Sequence, residues 1–302
     1  MTDLETNVAR NKKLDGLFAV AGLLSTFIGI LTLAALIVNL AIDGAARLTP
    51  HFFTSFPSRF PAQAGILAAW VGTTLVMVVT ALNAVPMGIA AGVYLEEYAP
   101  KNWLTALIEI NIANLAGVPS IVYGLMALGL FVYQLKLGQS ILSAGLTLAL
   151  LILPIVIVAT RESIRAVPGS MREAAYALGA TKWQTTRDHV LPYSMGGILT
   201  GVIIALSRAI GETAPLVTIG ALTFIAFLPD APVRGEFPFI SLDWVMSPFT
   251  VMPIQMFNWV SRPQQEFHLN AAATGLVLMV MTLIMNGIAI YFRYRFRKRI
   301  KW

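Results

Sequence analysis

The chain has 302 residues, 57% of them hydrophobic and 12% charged, with a mean hydropathy of +0.74, which excludes a soluble core wrapped in an ordinary charged surface. It contains no cysteine, so a disulfide framework and a thiolate metal site are excluded as well. The net charge of +6 would suit a nucleic-acid partner only if the charges shared a solvent face, and their positions argue against that.

Residues 1–16 mix Asp3, Glu5 and Asp15 with Arg10, Lys12 and Lys13 and are expected to form a cytoplasmic tail. The apolar run that follows, Leu17 to Ile42, is too long for a signal-peptide core and is expected to be a retained anchor. A connection from Asp43 to Gly65 leads to a second run, Ile66 to Leu95. The third, Leu104 to Tyr133, carries Asn111, Asn114, Gly117, Pro119, Ser120 and Tyr123. Such side chains bond between helices and glycine permits close approach, so structural glue is the first reading and pathway lining the second. Glu109 lies near the inner end of this run, where water makes its charge less costly. The fourth run, Ile141 to Thr160, ends in Arg161 and Arg165, topogenic charges of which Arg161 is also placed to receive an exiting anion.

A polar loop, 161–194, separates the fourth run from the fifth. Helix-favouring stretches Ser170 to Leu178 and Thr181 to Val190 meet at Gly179, the residue best able to leave helical geometry, so a helix, a turn and a second helix are predicted. The fifth run, Met195 to Leu228, places Arg208 and Glu212 where hydrocarbon should be. Four residues apart, they share a helix face and can pair. Arg208 is thirteen residues beyond Met195, roughly 20 Å into the membrane, where an arginine costs about 2.5–3.5 kcal/mol on insertion scales. Pro215 is expected to kink the helix just beyond. Two readings stand: a salt bridge that fixes packing, and a site for a permeating oxyanion that Arg208 recognises and Glu212 keeps from being held too tightly.

The connection at 229–270 is rich in proline and aromatic residues, as expected of a re-entrant or interfacial segment or of a docking surface for an external partner. The sixth run, Ala271 to Phe292, is followed by a basic tail, 293–302, that reads as an anchor at the anionic leaflet. Each run is long enough to cross about 30 Å of hydrocarbon. With six spans, fifteen Lys and Arg fall on the face holding both termini and five on the other, Arg208 remaining inside a span. The chain is therefore expected to be an all-α integral membrane protein of six transmembrane helices with both termini cytoplasmic. It has no GxxxxGK[ST] sequence, so any dependence on ATP must come from another chain. An ion-coupled secondary anion transporter would use Arg208 and Glu212 equally well but leaves the polar loop unexplained.

Glu173-Ala174-Ala175, with Gly179 and then Leu191-Pro192, resembles the EAA motif of ABC importer permeases in spacing, cytoplasmic placement and position between the fourth and fifth spans. His189 departs from the pattern, standing where the family has an apolar residue. Asn114 to Gly124, Arg208 to Pro215, and Pro253 to Trp259 with Arg262-Pro263-Gln264 resemble the phosphate importer permeases, and Thr213-Ala214-Pro215 is more similar to the PstA subunit type than to its PstC partner. The likeness runs from about Ala64 onward. It implies a MetI-like type I importer permease fold in a bacterial inner membrane. It also implies a second, PstC-like permease, two copies of a PstB-like ATPase carrying the ATP and Mg, and a PstS-like extracytoplasmic phosphate-binding protein. This chain would hold no cofactor and catalyse nothing. Sulfate or molybdate remain alternative cargoes.

Overall fold

A computed structural model of the chain describes residues 2–231 and 241–299; Pro232, Arg234 and Pro238 of the expected outer loop, and the tail end 300–302, lie outside the described residues. In chain order the helices are α1 Thr2–Gly44, α2 Pro50–Thr54, α3 Leu67–Val93, α4 Trp103–Leu115, α5 Ser120–Ala127, α6 Ile141–Arg165, α7 Gly169–Ala177, α8 Lys182–Thr185, α9 Leu191–Ile210, α10 Ala214–Thr218, α11 Met252–Val260 and α12 Gln265–Arg299. Five stretches are each long and apolar enough to span a membrane: Asn11–Arg47, Leu67–Tyr98, Ile141–Arg165, Lys182–Ile210 and Gln265–Arg295. Trp103–Leu115 and Ser120–Gln134 are apolar enough to cross only as a pair, bent by 106° at their junction, and counted as one broken span they bring the total to six.

That junction corrects the expectation of one continuous helix from Leu104 to Tyr133. Pro119 has no N–H to continue the ladder and disfavours helix at Val118, so α4 stops and α5 restarts. The Tyr123 hydroxyl donates to the Leu115 carbonyl at 2.9 Å and ties the two halves across the break. Side-chain glue is thus correct for Tyr123, while Asn111 only turns back to its own helix, at Leu107.

The core is centred on α6, which packs against α3 on one side and α9 on the other. Thr147 and Ser163 of α6 donate to carbonyls of their own helix, and Thr80 of α3 donates both to Val76 and to the Gly145 carbonyl of α6. Outside this trio, α12 lies along α9 and α1 lies along α12. The described part of the outer loop turns back into the bundle. Trp244, Phe249 and Trp259 are buried, and the Met252 amide donates to Thr73 of α3 at 2.9 Å. Helix α11 thus packs its inner face against the bundle, while Phe257 on its opposite face is exposed. Arg47 donates to Asn270 at 2.6 Å and also to the Pro61 carbonyl, joining the two outer connections.

A second correction concerns the fifth span. The helix does not run to Leu228; it begins earlier, at Lys182, and ends at Ile210. Gly211 and Glu212 leave the helix through short backbone turns to Arg208 and Ala209, and Pro215 sits in the first turn of the new helix α10, where its missing N–H costs nothing. The expected kink is therefore a complete break. Helix α10 lies so close to α5 that a Cβ on Gly124 would stand 1.8 Å from the Thr218 hydroxyl and 2.6 Å from Pro215 Cα, which explains the glycine.

Candidate functional site

The polar loop folds as its sequence predicts. Helix α7 ends at Gly179, whose φ of +85° is a left-handed conformation open to glycine, and the Gly179 and Ala180 amides close the helix end on Tyr176 and Ala175. Thr181 and Gln184 then form a reciprocal capping box that starts α8. Pro192 cannot donate in the first turn of α9, and the chain meets this with a π-helical turn over Thr186–Val190 that joins α8 to α9 without a break. The second helix of the hook and the fifth span are one continuous helical stretch, Lys182–Ile210. Ala175 is buried, whereas Glu173, Ala174, Tyr176, Leu178 and Trp183 face outward, Leu178 with 89% of its surface exposed. Among the described residues Glu173 has no ion-pair partner. His189 is exposed too, so its departure from an apolar residue removes no packing.

Arg208 occupies the last turn of α9, where a cation complements the negative end of the helix dipole. Its neighbours Ala209 and Ile210 are buried in one cluster with Met77, Ala149 and Tyr123. Met77 lies ten residues into α3, about 15 Å from that helix's outer end, so the break in the fifth span occurs inside the membrane. Arg208 Nε meets Glu212 Oε1 at 3.3 Å, the expected pair, although Glu212 stands just past the helix end. The side chains are 41% and 17% exposed. Among the described residues Nη1 and Nη2 of Arg208 have no hydrogen-bond partner. Ser207 donates to Asn286 of α12 at 2.7 Å and fixes the rotation of α9 that leaves Arg208 on the open side.

Arg161 is placed quite differently. It is buried at the inner end of α6 between two carboxylates, 2.6 Å from Glu109 on α4 and 3.5 Å from Glu96 in the π-helical turn Tyr94–Tyr98 that closes α3. Arg165 shares Glu96 at 3.0 Å, and Arg172 of α7 holds Glu97 at 2.7 Å. A polar cleft of about 360 Å³, lined by Glu96, Lys101, Asn102, Thr105, Glu109 and Arg165, opens beside this network. Sequence reasoning passed over Glu96, Glu97 and Arg172. The available signal was an acidic pair closing the second span opposite three arginines that follow the fourth.

Residues 84–301 match the family model described as the binding-protein-dependent transport system inner membrane component. The chain belongs to this family. As members of it do, the permease crosses the inner membrane several times and works in a transport system that depends on a binding protein. It is 32% identical over 238 residues to the phosphate transport system permease protein PstA 1 of Mycobacterium tuberculosis strain H37Rv, covering 79% of this chain and 72% of that one. It is 34% identical over 257 residues to the phosphate transport system permease protein PstA of Yersinia pestis, covering 83% and 79%. Among solved structures, the inward-facing MetNI methionine ABC transporter aligns with 76% of the permease and 95% of that chain at a TM-score of 0.54 and 14% identity. That likeness is one of fold, and the fold is the MetI-like one of type I importer permeases.

Proposed function

We propose that this permease is the PstA-like subunit of an ATP-driven importer of inorganic phosphate. The observation that carries the proposal is Arg208: an arginine inside the membrane, at the broken end of α9, neutralised through one nitrogen by Glu212 and with both Nη groups without a hydrogen-bond partner among the described residues. A guanidinium edge of that kind matches a tetrahedral oxyanion bidentately. The names of the relatives narrow the oxyanion to phosphate. Arg161 lies lower on the same route, at the cytoplasmic mouth, and would receive the anion once Glu109 and Glu96 release it.

The chain itself performs no hydrolysis and needs no cofactor. Two PstB-like subunits supply ATP and Mg, and the hook within 161–194 seats in them by its outward face, where Glu173 has no ion pair among the described residues and Tyr176, Leu178 and Trp183 are bare. A PstC-like permease completes the pathway, and a PstS-like binding protein delivers phosphate against the outer face formed in part by 229–270. The tails 1–16 and 293–302 stay cytoplasmic. The test is the ATPase rate of the purified complex in lipid. Binding protein loaded with phosphate should raise it several-fold and the same protein without phosphate should not; stimulation by a sulfate- or molybdate-binding protein instead would replace the cargo.

A further inference from the structure

We propose that the coupling hook drives the broken third span directly, through an ion-paired linkage that runs Arg172–Glu97, then Glu96–Arg161–Glu109. This rests on the reading of the chain as an ATP-driven permease and names the route by which the push arrives. Arg172 of α7 donates to Glu97 from Nε at 3.0 Å and from Nη2 at 2.7 Å, and to the carbonyls of Val167 and Ile164 at the end of α6. The Glu97 side chain is only 6% exposed. Beside it, Ile164, Val167 and Val190 form a small apolar core with Val93 and Met171, and Lys182 lies 5.1 Å from the Tyr98 ring centroid. The hook, the end of α6 and the π-helical turn Tyr94–Tyr98 are thereby joined as one block.

The next residue along that turn, Glu96, faces the other way, to Arg165 and Arg161, and Arg161 reaches Glu109 on α4. Helix α4 buries no residue of its own, so this charge contact at Glu109, midway along it, is a principal tether of the helix, and the 106° bend before α5 gives it a hinge. Arg161 Nε is buried without a hydrogen bond although Glu96 Oε2 lies 3.5 Å away. A buried charged group left incompletely satisfied in one arrangement is suited to changing partners in another. Movement of the block therefore pulls α4 about its hinge, and the cleft beside Glu109 opens or closes with it.

The cysteine-free sequence permits a clean test. Spin labels at Ile110→Cys on α4 and Met126→Cys on α5, both exposed positions, report the separation of the two half-helices in the whole complex, nucleotide-free and with a non-hydrolysable ATP analogue. The unsubstituted network should give a nucleotide-dependent shift of about 2–5 Å, the scale of helix shifts and one-turn ratchets. Glu97→Gln should cut that shift by more than half and lower phosphate moved per ATP about tenfold, and Glu97→Asp should keep most of both. Glu109→Gln, which leaves the hook untouched, should have the same effect and covers the case in which Glu97→Gln fails to assemble. An undiminished shift in these variants, or none in the unsubstituted protein, overturns the linkage. The shift needs no cargo, so it stands apart from whether phosphate is the anion.

Discussion

Replacing Arg208 by alanine is expected to lower ATP-driven phosphate uptake about 10- to 100-fold, the effect of losing one or two hydrogen bonds to a charged group, each worth about 1.5–3 kcal/mol. The complex should still assemble, because the backbone around Arg208 is held by the Ser207–Asn286 bond and by buried Ala209 and Ile210 rather than by the guanidinium. Arg208→Lys should recover only part of the rate, since an ammonium provides the charge without the planar fork. Glu212→Gln acts in the opposite sense on affinity: with its neutralising partner gone, Arg208 holds the anion longer, and turnover falls while the apparent affinity for loaded binding protein rises. Uptake by reconstituted complexes in proteoliposomes checks all three. Full uptake in Arg208→Ala would make the pair a packing salt bridge and nothing more.

Gly179→Pro is expected to leave the membrane spans folded and abolish coupling. Proline holds φ near −65° and has no N–H, whereas Gly179 stands at +85° and donates to Tyr176 at 2.9 Å, so the hook loses its bend at a cost of about 3 kcal/mol. The lesion stays local, since nothing packs against the position that a Gly179 side chain would take. Glu173→Lys tests the same contact from outside. Glu173 is exposed and free of ion pairs within the described residues, so reversing its charge spares the fold and acts on the ATPase interface, where a lost charged contact is worth on the order of 2–5 kcal/mol. Co-purification of the ATPase should fall more than tenfold in Glu173→Lys. Unchanged co-purification and uptake in both variants would remove the hook from the coupling route.

The hook was legible because its signals are local. Gly179 answers to backbone conformation, and Thr181 and Gln184 to a capping geometry set within four residues. The charge count likewise orients the spans without reference to packing. The two helix breaks were not legible in the same way: Pro119 and Pro215 mark where a ladder is interrupted, but whether a proline kinks or ends a helix depends on what receives the freed chain. Here α10 has Gly124 of α5 to lie against, and α5 has the Tyr123 hydroxyl to rejoin it to α4. The network of Glu96, Glu97 and Glu109 with Arg161 and Arg172 was missed because its members come from four separate segments, the turn after α3 and the helices α4, α6 and α7, brought together only in the assembled bundle. Arg208 and Glu212 were paired correctly because four residues is a helical distance, even though the helix ends between them.

The most direct test of the central claim is labelled-phosphate uptake into proteoliposomes holding this permease with a PstC-like permease and the ATPase, with loaded binding protein on the opposite side and ATP on the ATPase side. Phosphate should accumulate only with ATP and binding protein together, in proportion to ATP hydrolysed, and excess sulfate or molybdate should not compete. Accumulation by the permease alone, driven by an ion gradient without ATP, would contradict it.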